Sequence, residues 1–294
     1  NDLEAGGSTA GAAGINTAYD IAQKYFIDGG NNRVILATDG DLNVGLSSES
    51  ELTRLIEEKR ESGVFLSVLG FGTGNYKDNR LEALADYGNG NYSYIDSEKE
   101  AKKVLVDEMS GTLFTVAKDV KFQLEFNPAN VKGYRLIGYE NRVMAAEDFN
   151  DDTKDAGEIG AGHSVTVLYE IVLADSKMEL GESKLKYASD SEGVMGDELL
   201  TVNIRYKEPE GSESKLLTYP VNKSLYSDKM SADMNFASCV AEFGMLLRNS
   251  RYIGDVTYKD VSAQLSKYDY SDDDYKDEFI YLVNTMKRRD TNFQ

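Results

Sequence analysis

The sequence predicts an α/β fold, a parallel sheet with helices on both faces, followed by a β-rich, sandwich-like domain with C-terminal helices. Three observations carry this. The apolar runs at 33–37 (RVILA) and 64–69 (VFLSVL) each lead into a glycine-bearing turn, the pattern of strands buried on both faces under helices. Segments of helical spacing alternate with such runs up to Glu108, as in parallel sheets built from βαβ units. From Val120 onward the apolar period drops to two, the mark of half-buried antiparallel strands.

In chain order, Ile15, Ala18, Tyr19, Ala22 and Phe26 recur at helical spacing over 12–27, and Gly29-Gly30-Asn31-Asn32 ends that helix,. The 33–37 strand follows. Ser47 or Ser48 caps a helix striped by Leu52, Leu55 and Ile56 and stopped at Ser62-Gly63,. The 64–69 strand runs into the loop Gly70-Phe71-Gly72-Thr73-Gly74-Asn75. A helix with Leu81, Leu84 and Ala85 closes at Gly88-Asn89-Gly90-Asn91, a weaker strand covers 92–95, and Ser97 opens a helix carrying Ala101, Val104 and Leu105. Val120, Phe122, Leu124 and Phe126 then alternate with Lys121, Gln123 and Glu125, as do Val165, Val167, Tyr169 and Ile171, and Leu200, Val202, Ile204 and Tyr206, with their own polar neighbours. With 134–139, 185–187 and 216–219 these make about six strands, enough for a sandwich. Phe236, Val240, Phe243 and Leu247 share a helical face, and two helices follow at 256–265 and 275–286,. The domains are placed at 1–116 and 117–294, with the boundary between Thr115 and Val120.

Composition excludes several functions. The 294 residues hold 51 acidic and 32 basic side chains, a formal charge of −19, which argues against nucleic acid and anionic membranes because phosphates need clustered Lys and Arg. One cysteine, Cys239, and one histidine, His163, exclude an internal disulfide and leave no basis for Cys- or His-based zinc sites. No run approaches the ~20 apolar residues that span a bilayer. The chain opens on Asn1 rather than methionine, close to a motif, and reads as the processed or excised part of something longer.

The chemistry-bearing strings are Gly6-Gly7-Ser8-Thr9-Ala10-Gly11 before the first helix and Thr38-Asp39-Gly40-Asp41 at the carboxyl end of the first strand, where open α/β sheets place their ligand sites. A hydroxyl turn and a carboxylate turn together suggest an oxygen-ligand metal site. These strings, with GGNNRVILATDGDLNVG, LGFGTGN, LADYGNGNYSYID and EFNPANVKGYRLIGYENR, resemble the von Willebrand factor type A domain, itself Rossmann-like, and more narrowly a bacterial subfamily that joins such a domain to a C-terminal domain of unassigned function. The resemblance covers nearly the whole chain.

That resemblance implies a metal-ion-dependent adhesion site of three loops holding Mg²⁺, or Ca²⁺ or Mn²⁺. Thr9 falls on the family's threonine, with Ser8 its neighbouring alternative, and Asp39 on its aspartate; Asp41 and Gly40 lie at the partner-facing rim. Six hard oxygens of low total charge leave such an ion able to recruit a carboxylate from a protein partner. The family's first loop, Asp-x-Ser-x-Ser, is absent, Asp260-Val261-Ser262-Ala263-Gln264 failing at its last position. The chain therefore corresponds to the C-terminal half of the A domain plus the second domain, its own metal binding is weak, and the 33–37 strand has an unpaired apolar edge that an N-terminal fragment of the same protein or a swapped copy would cover.

Other motifs read as structure. Gly70-x-Gly72-x-Gly74 lacks the final spacing of a dinucleotide fingerprint,. The acidic 148–155 segment (DFNDDTKD) lacks the glycine and glutamate of an EF-hand and reads as a solvated loop, as does Asp272-Asp273-Asp274,. His163 reads as structural, Cys239 as a small buried hydrophobe, and the Phe236 stripe as core. The function expected is a non-enzymatic adhesion or scaffolding module that binds a protein ligand offering an acidic side chain. The alternatives are a Mg²⁺-dependent phosphoryl-transfer enzyme and a structural module with a degenerate metal site. By resemblance the protein lies outside the cytoplasm: periplasmic, at the cell surface or lipoprotein-anchored.

Overall fold

A computed structural model describes residues 11–39, 49–72, 78–108, 114–139, 142–154, 156–180, 196–209 and 211–290. The chain divides into two compact units, one of residues 1–121, 151–164 and 205–216, the other of 122–150, 165–204 and 217–294.

The first unit holds the parallel sheet. Helix α1 (Gly11–Lys24) precedes β1 (Arg33–Thr38), and α2 (Glu49–Arg60), β2 (Phe65–Phe71), α3 (Asp78–Tyr87), β3 (Tyr92–Ile95) and α4 (Glu98–Lys102) follow. The strand order is β1-β2-β3, all parallel, with Leu36 opposite Val68 and Leu69 opposite Ser93. Leu66 and Val68 bury one face of β2 in a cluster with Ile15 and Tyr19 of α1, Leu52 and Ile56 of α2, and Leu81 and Leu84 of α3. The other face buries Leu69 with Ile95, Val104 and Ala101, so helical segments cover both sides. Ser97 caps α4, its hydroxyl accepting from Glu100 N at 3.2 Å,.

The two apolar runs, alike in sequence, differ in place. The 64–69 run is buried on both faces as read: Leu66, Val68 and Leu69 are at most 7 % exposed. The 33–37 run is not. Ile35 is 46 % exposed and Ala37 is exposed: they share one face of β1, whereas Val34 and Leu36 on the other pack against the helical core, and among the described residues β1, pairing with β2 alone, is the sheet's edge. The Gly88–Gly90 turn presses onto β2: Leu66 N donates to Gly88 O at 2.8 Å, and a Cβ on Gly90 would lie 1.8 Å from the Leu66 carbonyl oxygen, so only glycine fits there.

The later strands are β4 (Thr115–Phe126), β5 (Val131–Ile137), β6 (Gly157–Gly160), β7 (Leu168–Leu173), β8 (Glu198–Lys207) and β9 (Lys215–Asn222). They form a four-stranded sheet ordered β6-β4-β8-β9 and a two-stranded sheet of β5 and β7, with β4/β6 and β5/β7 antiparallel. Strand β6 is an addition to the sequence reading; its GEIG carries little periodic signal. The strand expected at 165–171 starts at Leu168, and the one expected at 185–187 lies outside the described residues.

Period two misassigns one face of β4. It puts Lys121 in solvent and Phe122 in the core, whereas Lys121 is 4 % exposed and Phe122 40 %. The register shifts between Ala117 and Val120, with Asp119 at φ 51°. The buried lysines are held by oxygen atoms. Lys121 Nζ donates to Asp151 O at 2.5 Å, and Lys207 Nζ donates to Asp119 Oδ2 at 2.6 Å and Asp152 O at 2.9 Å. The Asp152 carboxylate accepts from Arg205 at 3.1 Å and from Ser214 Oγ. The acidic segment read as a solvated loop is exposed over 152–154 and is also clamped through its main chain.

Helices α5 (Ala232–Leu247), α6 (Tyr258–Leu265) and α7 (Asp274–Asp290) close the second unit. Their core is Cys239, Phe243, Val261, Leu265, Tyr270 and Val283, with Phe236 partly buried against it, and Phe279 meets Phe236 and Phe243 edge-on at 5.2 and 5.4 Å,. Thr257 and Asp260 form a capping box on α6,. Asp273 Oδ1 accepts from Tyr275 N and Lys276 N at 3.0 and 3.1 Å, so one member of the Asp272–Asp274 triplet caps α7.

Leu66→Ala, in the doubly covered strand, is expected to cost about 2–5 kcal/mol in urea unfolding, whereas Ile35→Ala on the bare face of β1 costs less than about 1 kcal/mol. Lys207→Met leaves the half-buried Asp119 without its cation and is expected to cost about 1–3 kcal/mol by the same measurement,.

Candidate functional site

The carboxyl ends of the three parallel strands form the rim on which the sequence places its ligands. Register fixes the layout: Thr38 stands opposite Gly70, and Gly70 opposite Tyr94. Asp39 follows Thr38 directly and is exposed. Gly72, at φ 89°, lies beside it, and a Cβ added there would be 3.8 Å from Asp39 Cβ. Tyr94 Oη donates to Gly72 O at 2.6 Å, tying the end of β2 to β3. Sequence reading passed over Tyr94, because nothing in YSYI distinguishes the tyrosine that braces a loop from its neighbours.

Of the expected metal and rim residues, Asp39 is placed by the structure; Ser8, Thr9, Gly40 and Asp41 lie outside the described residues, as do 73–77. Among the described residues no group of three or more His, Cys, Asp or Glu could hold a metal ion. One exposed carboxylate does not make a cage for a divalent cation, which takes six or more oxygens, so the described residues do not by themselves fit Mg²⁺.

His163 sits in a turn, its N–H donating to Gly160 O at 3.0 Å. Cys239 is fully buried in the C-terminal helical core, and burial, aided by the nearby Glu242 charge, pushes its thiol up to about 11. A thiol so placed is a packing group and not a nucleophile. Among the described residues no helix is long and apolar enough to cross a membrane.

Residues 111–288 match the family model described as "Uncharacterized protein YfbK, C-terminal". Over 288 residues the chain is 45 % identical to the Escherichia coli (strain K12) protein named "Uncharacterized protein YfbK", an alignment covering 96 % of the chain and 49 % of that protein. The chain thus spans about half the length of the curated relative it matches. Among solved structures it is similar to a von Willebrand factor type A protein from Catenulispora acidiphila (15 % identity, TM-score 0.40, covering 96 % of this chain and 64 % of that one). It is also similar to the human COPII-coat protein Sec24c (11 % identity, TM-score 0.38, covering 85 % and 33 %).

The buried thiol makes a direct forecast. Native protein at pH 8 is expected to resist alkylation by iodoacetamide, with Cys239 reacting at the rate of a free thiol only in denaturant; mass spectrometry of the timed reaction reads the difference.

Proposed function

The chain belongs to the YfbK family, and we propose that it is a non-enzymatic protein-binding module whose contact face is the carboxyl rim of the parallel sheet. The observation that carries this reading is the exposed carboxylate of Asp39 at the end of β1, beside Gly72, in the position where open α/β sheets take their ligands. In this reading Asp39 helps hold Mg²⁺, or Ca²⁺ or Mn²⁺, with Thr9 and Ser8 as hydroxyl donors, while Gly40 and Asp41 face the partner. The partner supplies an acidic side chain to the ion.

A second contact belongs to the same reading. Edge strand β1 carries Ile35 at 46 % exposure and, among the described residues, pairs on one side only, which suits an added strand. We assign that strand to an N-terminal portion of the same protein or to a swapped copy. A location outside the cytoplasm, periplasmic or lipoprotein-anchored at the surface, completes the proposal. Phosphoryl transfer is disfavoured because it needs a cation beside Asp39 to hold phosphate, and Arg33 stands at the opposite end of the same strand, about 20 Å away.

Calorimetric titration of the full chain with MgCl₂ tests the reading. A weak, saturable heat is expected, with a dissociation constant on the order of 10⁻³ M, abolished in Asp39→Ala and by EDTA. No heat, or equal heat in the variant, discards the metal-dependent face.

A further inference from the structure

At the other end of β1 the structure assembles a group of polar side chains that the rim does not use. Arg33 opens β1 and crosses to β2, where its Nη1 donates to Ser67 Oγ at 2.6 Å and its guanidinium lies 5.7 Å from the Phe65 ring centre. Ser67 is 2 % exposed, and its hydroxyl also accepts from Asn91 N at 3.2 Å. The Arg33 Nε atom is sealed from solvent and has no hydrogen-bond partner. A buried donor without an acceptor costs free energy, here as at the Nε of Arg205; the groups that face open space are those lining the cavity beside it.

Arg33 lines a cavity of about 40 Å³ together with Asn89, Asn91, Thr115, Glu158, Gly160 and His163. In this measure a water needs about 10–15 Å³, so there is room for roughly three water-sized groups, the size of a carboxylate or a small oxyanion. The lining is donor-rich. Asn89 Oδ1 accepts from Arg60 Nη1 at 2.9 Å; since arginine only donates, the amide orientation is fixed and the Asn89 Nδ2 hydrogens remain to donate elsewhere. The Asn91 amide, the Thr115 hydroxyl and the His163 imidazole can each donate as well. Opposing them is Glu158: burial lowers the Arg33 pKa, and the Glu158 charge offsets part of that lowering. The Gly88–Asn91 turn that carries both asparagines is pinned to β2 by the close approach at Gly90, so its donors are preorganised.

We propose that this cleft is a binding site for a small oxyanion, a phosphate-like ion or a carboxylate, gripped by Arg33 and the amides of Asn89 and Asn91, with Thr115 and His163 completing its shell. Selectivity for small ligands follows from the volume, and selectivity for singly charged forms follows from Glu158, which repels a second negative charge. The site is separate from the Asp39 rim by the length of β1, so it stands or falls independently of the metal-dependent reading.

The chain's single histidine makes the test direct. In the full chain the imidazole proton resonances of His163 are followed while sodium phosphate, and in a second arm sodium acetate, is titrated at constant ionic strength and pH. Saturable shifts are expected; phosphate acting alone identifies an inorganic oxyanion, and acetate acting alone identifies a carboxylate ligand. Arg33→Gln should abolish the shift and Arg33→Lys should weaken it at least tenfold. Asn91→Asp, which keeps the turn and adds a negative charge, should abolish it in a fold whose circular dichroism is unchanged. No saturable shift with either salt, or the same shift in Asn91→Asp, overturns the proposal and leaves the cleft to bound water.

Discussion

Every layer of the first unit rests on the burial of β2 from both sides. Leu66, Ser67, Val68 and Leu69 are consecutive and all at most 7 % exposed. A strand with no wet face must be roofed and floored, which is why α1, α2 and α3 contribute Ile15, Tyr19, Leu52, Ile56, Leu81 and Leu84 on one side and Val104 and Ala101 come from the other,. The same constraint reaches the turns. Backbone polar groups beside so dry a strand need partners, and they find them in Gly88 O and Asn91 O, at 2.8 and 2.9 Å from Leu66 N and Val68 N. That approach is close enough to require glycine at 88 and 90. The one hydroxyl in the run, Ser67, is satisfied by Arg33 and the Asn91 main chain, so the polar cleft at the amino end grows from the need to satisfy a serine in the middle of the core.

How much of this was legible depends on whether the signal was local. VFLSVL and RVILA look equivalent along the chain, and periodicity gives both as strands. Centre and edge are set by which neighbours exist, a tertiary fact, so the double burial read for 33–37 fails at Ile35 while the same reading holds for 64–69. Helices α1–α7 were all readable because amphipathic spacing and caps are written within a few residues, though in α5 the expected core stripe holds for Phe236 and Phe243 and not for Val240 and Leu247, 42 and 52 % exposed. Strand β6 was not, since four residues with two glycines carry no period. Lys121 and Phe122 take the opposite faces to those the alternation gives them, because which face of β4 is buried is set by what packs on it, Lys121 being drawn in by the Asp151 carbonyl oxygen, and no local signal states that. At the rim, a short apolar run ending in a carboxylate turn located Asp39, whereas Tyr94 as its brace and the meeting of Arg33 with Asn89 and His163 depend on residues far apart in sequence.

The basic residues show a common logic that net charge conceals. With 51 acids against 32 bases, a cation that does go inward finds acidic neighbours that offset part of the cost of burial, as Lys121 and Lys207 do. Lys121 and Lys207 grip the main-chain oxygens of Asp151 and Asp152; Arg205 takes the Asp152 carboxylate. Asp152 is held below the usual carboxylate range first by its hydrogen bond from Ser214 and then, against a smaller opposing effect of burial, by Arg205. These contacts involve main-chain acceptors and short distances, so salt screens them less than it screens the exposed pairs such as Lys215 with Glu208,.

Arg33 departs from that logic in a way that points to its use. Lys207 has two acceptors, Asp119 Oδ2 and Asp152 O, and Arg33 has Ser67 Oγ on Nη1; its buried Nε lacks an acceptor as the Nε of Arg205 does, so what distinguishes Arg33 is the cavity it lines. Glu158 acts on it through the field. A structural arginine is ordinarily locked by a bidentate carboxylate, because the planar fork and the carboxylate match. Here the carboxylate stands with Arg33, the two asparagines of the Gly88–Asn91 turn, Thr115 and His163 among the residues lining a cavity. A space lined by an arginine, two amides, a hydroxyl, an imidazole and a carboxylate is polar on nearly every side, and such groups are costly to leave facing a void, so the lining itself asks for a polar occupant.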